Sequence, residues 1–116
     1  MINVRLTFPP KELNPNKRLH FAKLAKFKRE YRETCCVLTK NELRGKTRIK
    51  KPCVHLAFYP PDKRRRDWDN LLAAMKSGLD GVSDALGVDD SEFRISFEIM
   101  PERGDYVQLT ITEHTK

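Results

Sequence analysis

At 116 residues, with 39% hydrophobic and 34% charged side chains, the chain is long enough to bury one core and too apolar for a disordered one. A net charge of +7 and a pI of about 9.5 favour an acidic partner, nucleic acid before an anionic membrane. No apolar run approaches a membrane span, and Met1 to Leu6 lacks the long apolar stretch of a signal peptide, so a cytoplasmic protein without membrane contact is expected.

Ile2, Val4, Leu6 and Phe8 alternate with polar residues until Pro9-Pro10, the period of a half-buried strand. Lys11 to Lys17, with Asn14-Pro15-Asn16, reads as a loop. Leu24, Phe27, Tyr31, Cys35 and Leu38 then recur at spacings of three and four, predicting an amphipathic helix from about Arg18 to about Glu42. Arg44, Lys46, Arg48, Lys50 and Lys51 flank Gly45 in what should be a mobile basic loop. Val54, Leu56 and Phe58 alternate in a second strand that ends at Pro60-Pro61. Leu72, Met75, Leu79, Val82 and Leu86 form the stripe of a second helix, closed by Gly87. Gly78 and Gly81 each weaken that helix by up to ~1 kcal/mol relative to alanine, so packing must hold it, such as a close contact with the sheet or a partner helix.

Ile95, Phe97 and Ile99 mark a third strand and Val107, Leu109 and Ile111 a fourth, with Pro101 to Asp105 as the hairpin turn between them. The order β-α-β-α-β-β predicts a single α+β domain over residues 1–116, a small mixed sheet of about four strands with two helices packed on it. Cys35, Cys36 and Cys53 form no Cys-x-x-Cys pair and are expected to be reduced thiols, some of them buried.

Between the second strand and second helix lies Lys63-Arg64-Arg65-Arg66-Asp67-Trp68-Asp69-Asn70. Four cations suit a phosphate backbone, and closely spaced carboxylates are the oxygen ligands of a hard divalent cation. Capping explains one aspartate, with Asp69 the better candidate, but not two aspartates behind four cations. Asp89-Asp90 follows the helix, where turn chemistry is the plainer reading. Lys76, seven residues after Asp69, shares its helix face and leans back toward it; Asp80, one turn on, either orients that lysine or sits on the surface. If Asp67, Asp69 and Asp90 hold Mg2+, the ion would activate water and polarise a phosphodiester, Lys76 would meet developing charge, and Arg64, Arg65 and Arg66 would bind flanking phosphates. Trp68 either fills the core or lies beside the site, and Phe21, Phe27 and Tyr31 fit core packing better than base stacking.

Pro60 to Leu71, followed by Lys76, Asp80 and Asp89-Asp90, resembles the RusA family of Holliday junction resolvases, common in prophages. Phe8-Pro9-Pro10 with Asn14 to Arg18 resembles the family's opening strand and loop, and Leu109 to Glu113 its closing strand. The resemblance implies a homodimeric, Mg2+-dependent endonuclease that cuts four-way DNA junctions in pairs, with Mn2+ as a substitute ion. The three catalytic aspartates would fall on Asp67, Asp69 and Asp90, with Asp89 as the alternative third. The family lysine falls four residues after the second aspartate, where this chain has Ala73; Lys76 shares that helix face and would take the role. The DNA-binding set would be Lys63, Arg64, Arg65 and Arg66 with Arg48, Lys50 and Lys51 of the basic loop. Two other readings stand beside this one: a nuclease for flaps or forks, and a basic DNA-binding accessory protein whose aspartates only cap and turn.

Overall fold

Alternation in the strands builds a sheet with one face in the core. The computed structural model describes residues 1–45 and 49–113. Strands β1 (Ile2–Thr7), β2 (Pro52–Tyr59), β3 (Arg94–Ile99) and β4 (Tyr106–Glu113) form one mixed sheet in the order β1-β4-β2-β3. Helices α1 (Phe21–Leu43) and α2 (Trp68–Leu86) share a single hydrophobic core with it, so the protein is α+β. Val4 and Leu6 of β1, Val54, Leu56 and Phe58 of β2, and Val107, Leu109 and Ile111 of β4 are all buried on the helix-bearing face. The opposite face carries the intervening residues, among them Asn3, Arg5, His55 and Thr110, at least partly exposed to solvent.

One connection differs from the sequence pattern. β3 and β4 are not a hairpin: β3 pairs in parallel with β2, Val54 opposite Ile95, and β4 lies antiparallel to β2 on its other side, Val54 opposite Ile111. The segment from Met100 to Asp105 therefore steps across the end of β2. It is fixed there by the Met100 N–H donating to the Phe58 carbonyl at 2.8 Å and the Gly104 N–H donating to that of Pro60 at 3.0 Å. Turn residues in a short connection suggested a hairpin, but β2 with its following helix α2 had already claimed β3 as a parallel neighbour.

The two helices cross closely because glycine permits it. A Cβ on Gly81 would lie 2.1 Å from the Arg32 carbonyl oxygen, and one on Gly78 would meet the Tyr31 ring at 2.6 Å. The residues that weaken α2 in isolation thus let its backbone touch α1. Arg32 clamps the same crossing from outside, its Nε and Nη2 donating to the two Asp84 carboxylate oxygens at 2.7 and 2.9 Å. Buried at the crossing, Tyr31 donates its hydroxyl to the Thr7 carbonyl at 2.6 Å, tying α1 to the end of β1. Thr39, also buried, donates to the Cys35 carbonyl at 2.7 Å. Burial pushes the Cys35 thiol up to about 12. All three cysteines are free.

Helix α1 begins later than its charge pattern implied. His20 caps it, Nδ1 accepting from the Ala22 N–H at 3.3 Å, and Arg44 ends it with a left-handed φ of 50°. Phe21, in the first turn, is 78% exposed and so lies outside the core, contrary to expectation. The stripe reaches the core only from Leu24 onward, Leu24 and Phe27 packing against its edge.

Candidate functional site

Past β2, the chain turns through Pro60-Pro61 into a clasp built on Asp62. Its carboxylate accepts the Arg64 N–H at 2.9 Å and the Arg66 guanidinium at 2.9 Å. Arg66 also donates to the Arg64 carbonyl at 3.0 Å and lies 5.6 Å from the centroid of the Phe8 ring. Arg66 first, then the Arg64 N–H, hold the Asp62 carboxyl down at about 2. The clasp revises the reading of the four cations as one phosphate-binding run. Arg66, its side chain 20% exposed, is committed to the loop, whereas Lys63, Arg64 and Arg65 project into solvent.

Helix α2 starts at Trp68, so the N-cap is Asp67 and not Asp69. The Asp67 carbonyl accepts the first helical bond from Leu71 at 3.1 Å, but its side chain makes no capping bond and remains available. Asp69 stands in the first turn, where the helix dipole favours a carboxylate. Trp68, 60% exposed, lays its ring on Phe97 of β3 at a centroid distance of 6.0 Å. It lies beside the site and not in the core.

One turn-pair further along α2, Lys76 bridges two carboxylates. Its ammonium donates to Asp80 at 2.6 Å and to Asp90, which follows the helix. The hydrogen bonds that Lys76 donates to Asp80, then to Asp90, raise its pKa. The tandem aspartates separate here. Asp89 caps the 3-10 turn Asp90–Glu92, accepting the Ser91 N–H at 3.0 Å, and Asp90 faces Lys76. By helix period Asp69 shares the Lys76 face, while Asp67 lines a cavity of about 740 Å³ together with Asn70, Leu71 and Ala74.

The structure thus sets Asp90 against Lys76, Asp67 at the cavity wall and Asp69 in the first turn of α2. Among the described residues no three His, Cys, Asp or Glu side chains converge as a ready-made metal cage. The donor chemistry nonetheless fits Mg2+, which takes one or two carboxylates and completes its shell with water and substrate phosphates. Lys76 between Asp80 and Asp90 marks a position where these carboxylates already hold a cation.

Lys50 and Lys51 lie at the opposite end of β2 from the Asp62 clasp, roughly 26 Å away along an eight-residue strand. The Lys50 N–H donates to the Glu113 carboxylate at 3.0 Å, and the two lysines do not join the cluster. Arg48 lies outside the described residues. Sequence reasoning missed the clasp, because Asp62 and Arg66 lie in the non-helical turn before α2, where the i, i+4 spacing carries no signal. It also missed the cavity, whose far wall comes from the β1 exit loop and which no local pattern reveals.

No helix among the described residues is long and apolar enough to cross a membrane. No family model matches the chain. An uncharacterized protein of Xylella fastidiosa (strain Temecula1 / ATCC 700964) is 34% identical over 124 aligned positions, spanning 100% of this chain and 79% of that protein.

Proposed function

The chain belongs to the same family as that uncharacterized Xylella fastidiosa protein, and from the resemblance of Pro60 to Leu71, Lys76, Asp80 and Asp89-Asp90 to RusA resolvases we propose that it is a RusA-like, Mg2+-dependent endodeoxyribonuclease, a reading that the Lys76–Asp90 contact supports. In this reading it acts in the cytoplasm and resolves Holliday junctions by paired, symmetric phosphodiester hydrolysis during recombination and repair. The observation that carries the reading is the Lys76 bridge to Asp90, set beside an Asp-x-Asp at a helix head and a rim of projecting cations. A lysine held by two carboxylates is positioned to donate without being lost to solvent.

Asp67, Asp69 and Asp90 would hold the ion. The chemistry Mg2+ supplies when bound is polarisation of the phosphodiester and acidification of a water. Lys63, Arg64 and Arg65 seat the phosphates that flank the cut, a contact worth most at low salt. Lys76 stays protonated, because its partners raise its pKa, and donates toward charge developing on phosphate oxygens. The two carboxylates hold its ammonium in place until a phosphate competes for it.

We also propose that the working form is a homodimer, since two strands must be cut at symmetry-related positions. Edge strand β3 supports this. Ile95 and Ile99 are 47% and 38% exposed, and Trp68 extends the same apolar strip over Phe97. Antiparallel pairing of two copies of β3 about Ser96 would set Arg94 opposite Glu98 and Ile95 opposite Phe97 on the shared faces.

Cleavage of a synthetic mobile four-way junction in Mg2+, wild type against Asp69→Asn, tests the proposal. Symmetric nicks that disappear in the variant are expected, and undiminished cutting by Asp69→Asn defeats it. Flaps, forks and plain duplex in the same assay separate a broader branched-DNA nuclease. One observation favours the accessory-protein reading: Asp90 is already neutralised by Lys76, and Asp69 is suited to the helix dipole. That reading predicts salt-sensitive binding with no cleavage in Mg2+ or Mn2+.

A further inference from the structure

We propose that the cavity beside Asp67 receives a single unstacked base of the bound strand, so that the protein selects branch points by capturing a nucleotide as well as by binding phosphates. The proposal rests on the nuclease reading for its biological setting and on the cavity for its chemistry. At about 740 Å³, the space is within the range of small-molecule pockets and ample for one nucleotide. It lies between the loop leaving β1, the Asp62 clasp and the first two turns of α2.

Its lining is divided as a nucleotide requires. Pro10, Leu71 and Ala74 give apolar surface for the faces of a base. Asn14 and Asn70 bring side-chain amides, each with donors and an acceptor for a base edge, and Arg65 stands at the rim where the phosphate would enter. The Asn14 side-chain Oδ1 accepts the Asn16 N–H at 2.9 Å, which fixes the side chain and leaves its NH2 group as the donor. Asp67 lines the same space, so a base lodged there puts its own phosphate next to the proposed cut site.

Energetics then favour a branch. Extracting a base from intact duplex costs a few kcal/mol of stacking and pairing, and the cost is least where the base is already unpaired or poorly stacked. A pocket of this kind adds affinity at a branch that plain duplex gains at greater cost, without any contact that recognises the junction as a whole.

The test uses the full-length protein and synthetic four-way junctions carrying one 2-aminopurine at successive positions around the crossover. Binding should raise the fluorescence several-fold at one position next to the cut and leave the others unchanged. Asn14→Ala and the cavity-filling Ala74→Leu should suppress that rise. In parallel, an abasic residue is moved along the cleaved strand with wild-type protein, which needs no folding of a variant. Removing the base at the captured position should slow cutting by about tenfold or more. No fluorescence rise at any position overturns the pocket, whether or not the DNA is cut. A rise at one position without cutting upholds the pocket and defeats the nuclease reading alone. Cutting that varies less than about twofold across all abasic positions also overturns it.

Discussion

Lys76 and Asp90 are joined across a loop in which the preceding aspartate, Asp89, is turned away to cap a 3-10 turn. Adjacent carboxylates therefore have different duties, and a substitution distinguishes them. Asp90→Asn should abolish junction cleavage while sparing or strengthening junction binding, because a charge that repels DNA is removed. Asp89→Asn, which can still accept the Ser91 N–H, should leave both nearly intact. Lys76→Met should lower the cleavage rate by about 10²–10³ if the ammonium meets transition-state charge. Single-turnover cleavage beside gel-shift affinity checks all three.

The Lys76 ammonium carries a pH signature. Its pKa lies above the ordinary 10.5 because Asp80, then Asp90, stabilise the charged form. The contribution of these contacts to stability is fully present below the unfolded-state value and is lost as pH rises through the folded-state one. Asp80→Asn removes the leading cause, so the Lys76 ammonium should titrate at lower pH in that variant than in wild type. NMR titration of the Lys76 side chain in the free protein detects the shift, and an unmoved titration means that Asp80 does not govern it.

Gly81→Ala tests the helix crossing. The added Cβ would lie 2.1 Å from the Arg32 carbonyl oxygen, which is backbone and cannot swing aside. Although alanine is the better helix former, overpacking should dominate and destabilise the protein by about 1–3 kcal/mol. Urea unfolding measures the sum. An increase in stability would show that the helices separate at little cost.

How much of this was legible from the sequence varies with the range of the interaction. The alternation around Leu56 and the stripe through Met75 and Leu79 are local, and they gave the strands and helices nearly to their ends. The Lys76–Asp80 pair was legible for the same reason, since helix period alone brings positions four apart together. The parallel partnership of β2 and β3 was not, because Pro101 to Asp105 has the composition of a tight turn whether it closes a hairpin or steps over a strand. Exposed Phe21 was misread because an aromatic at helical spacing has the same pattern inside and outside a core. That Asp67 and not Asp69 caps α2 was hidden because either aspartate suits an N-cap and the apolar stripe does not mark the first helical residue. A cavity between the β1 exit loop and α2 leaves no local trace at all.

Arg65→Ala addresses the cation rim. One lost phosphate contact should weaken binding to all DNA sequences alike and reduce the slope of log affinity against log salt by about 1. Lys50→Ala, at the far end of β2, should change the slope less when the DNA is a short duplex that reaches only the Asp62 clasp. Binding titrations at several salt concentrations compare the two.

Ile95→Lys addresses the sheet edge. Ile95 is 47% exposed, so the monomer should keep its fold and its thermal midpoint within a few degrees. The charge would face Phe97 of a second copy in the proposed pairing and should convert a dimer to monomer in sedimentation. Unchanged mass at the same concentration assigns the dimer to another surface.

The position of β4 sets the order in which the molecule can be made. β4, which follows the other three strands in sequence, is central in the sheet, with β1 on one side and β2 on the other. Among the described residues β1 pairs with β4 alone, so Ile2 must wait for Ile111, more than a hundred residues later. The α2 crossover between β2 and β3 can assemble on the way, but β1 stays unmatched until β4 has been made. Truncation within Tyr106–Glu113 would therefore split the sheet in two, not trim its edge.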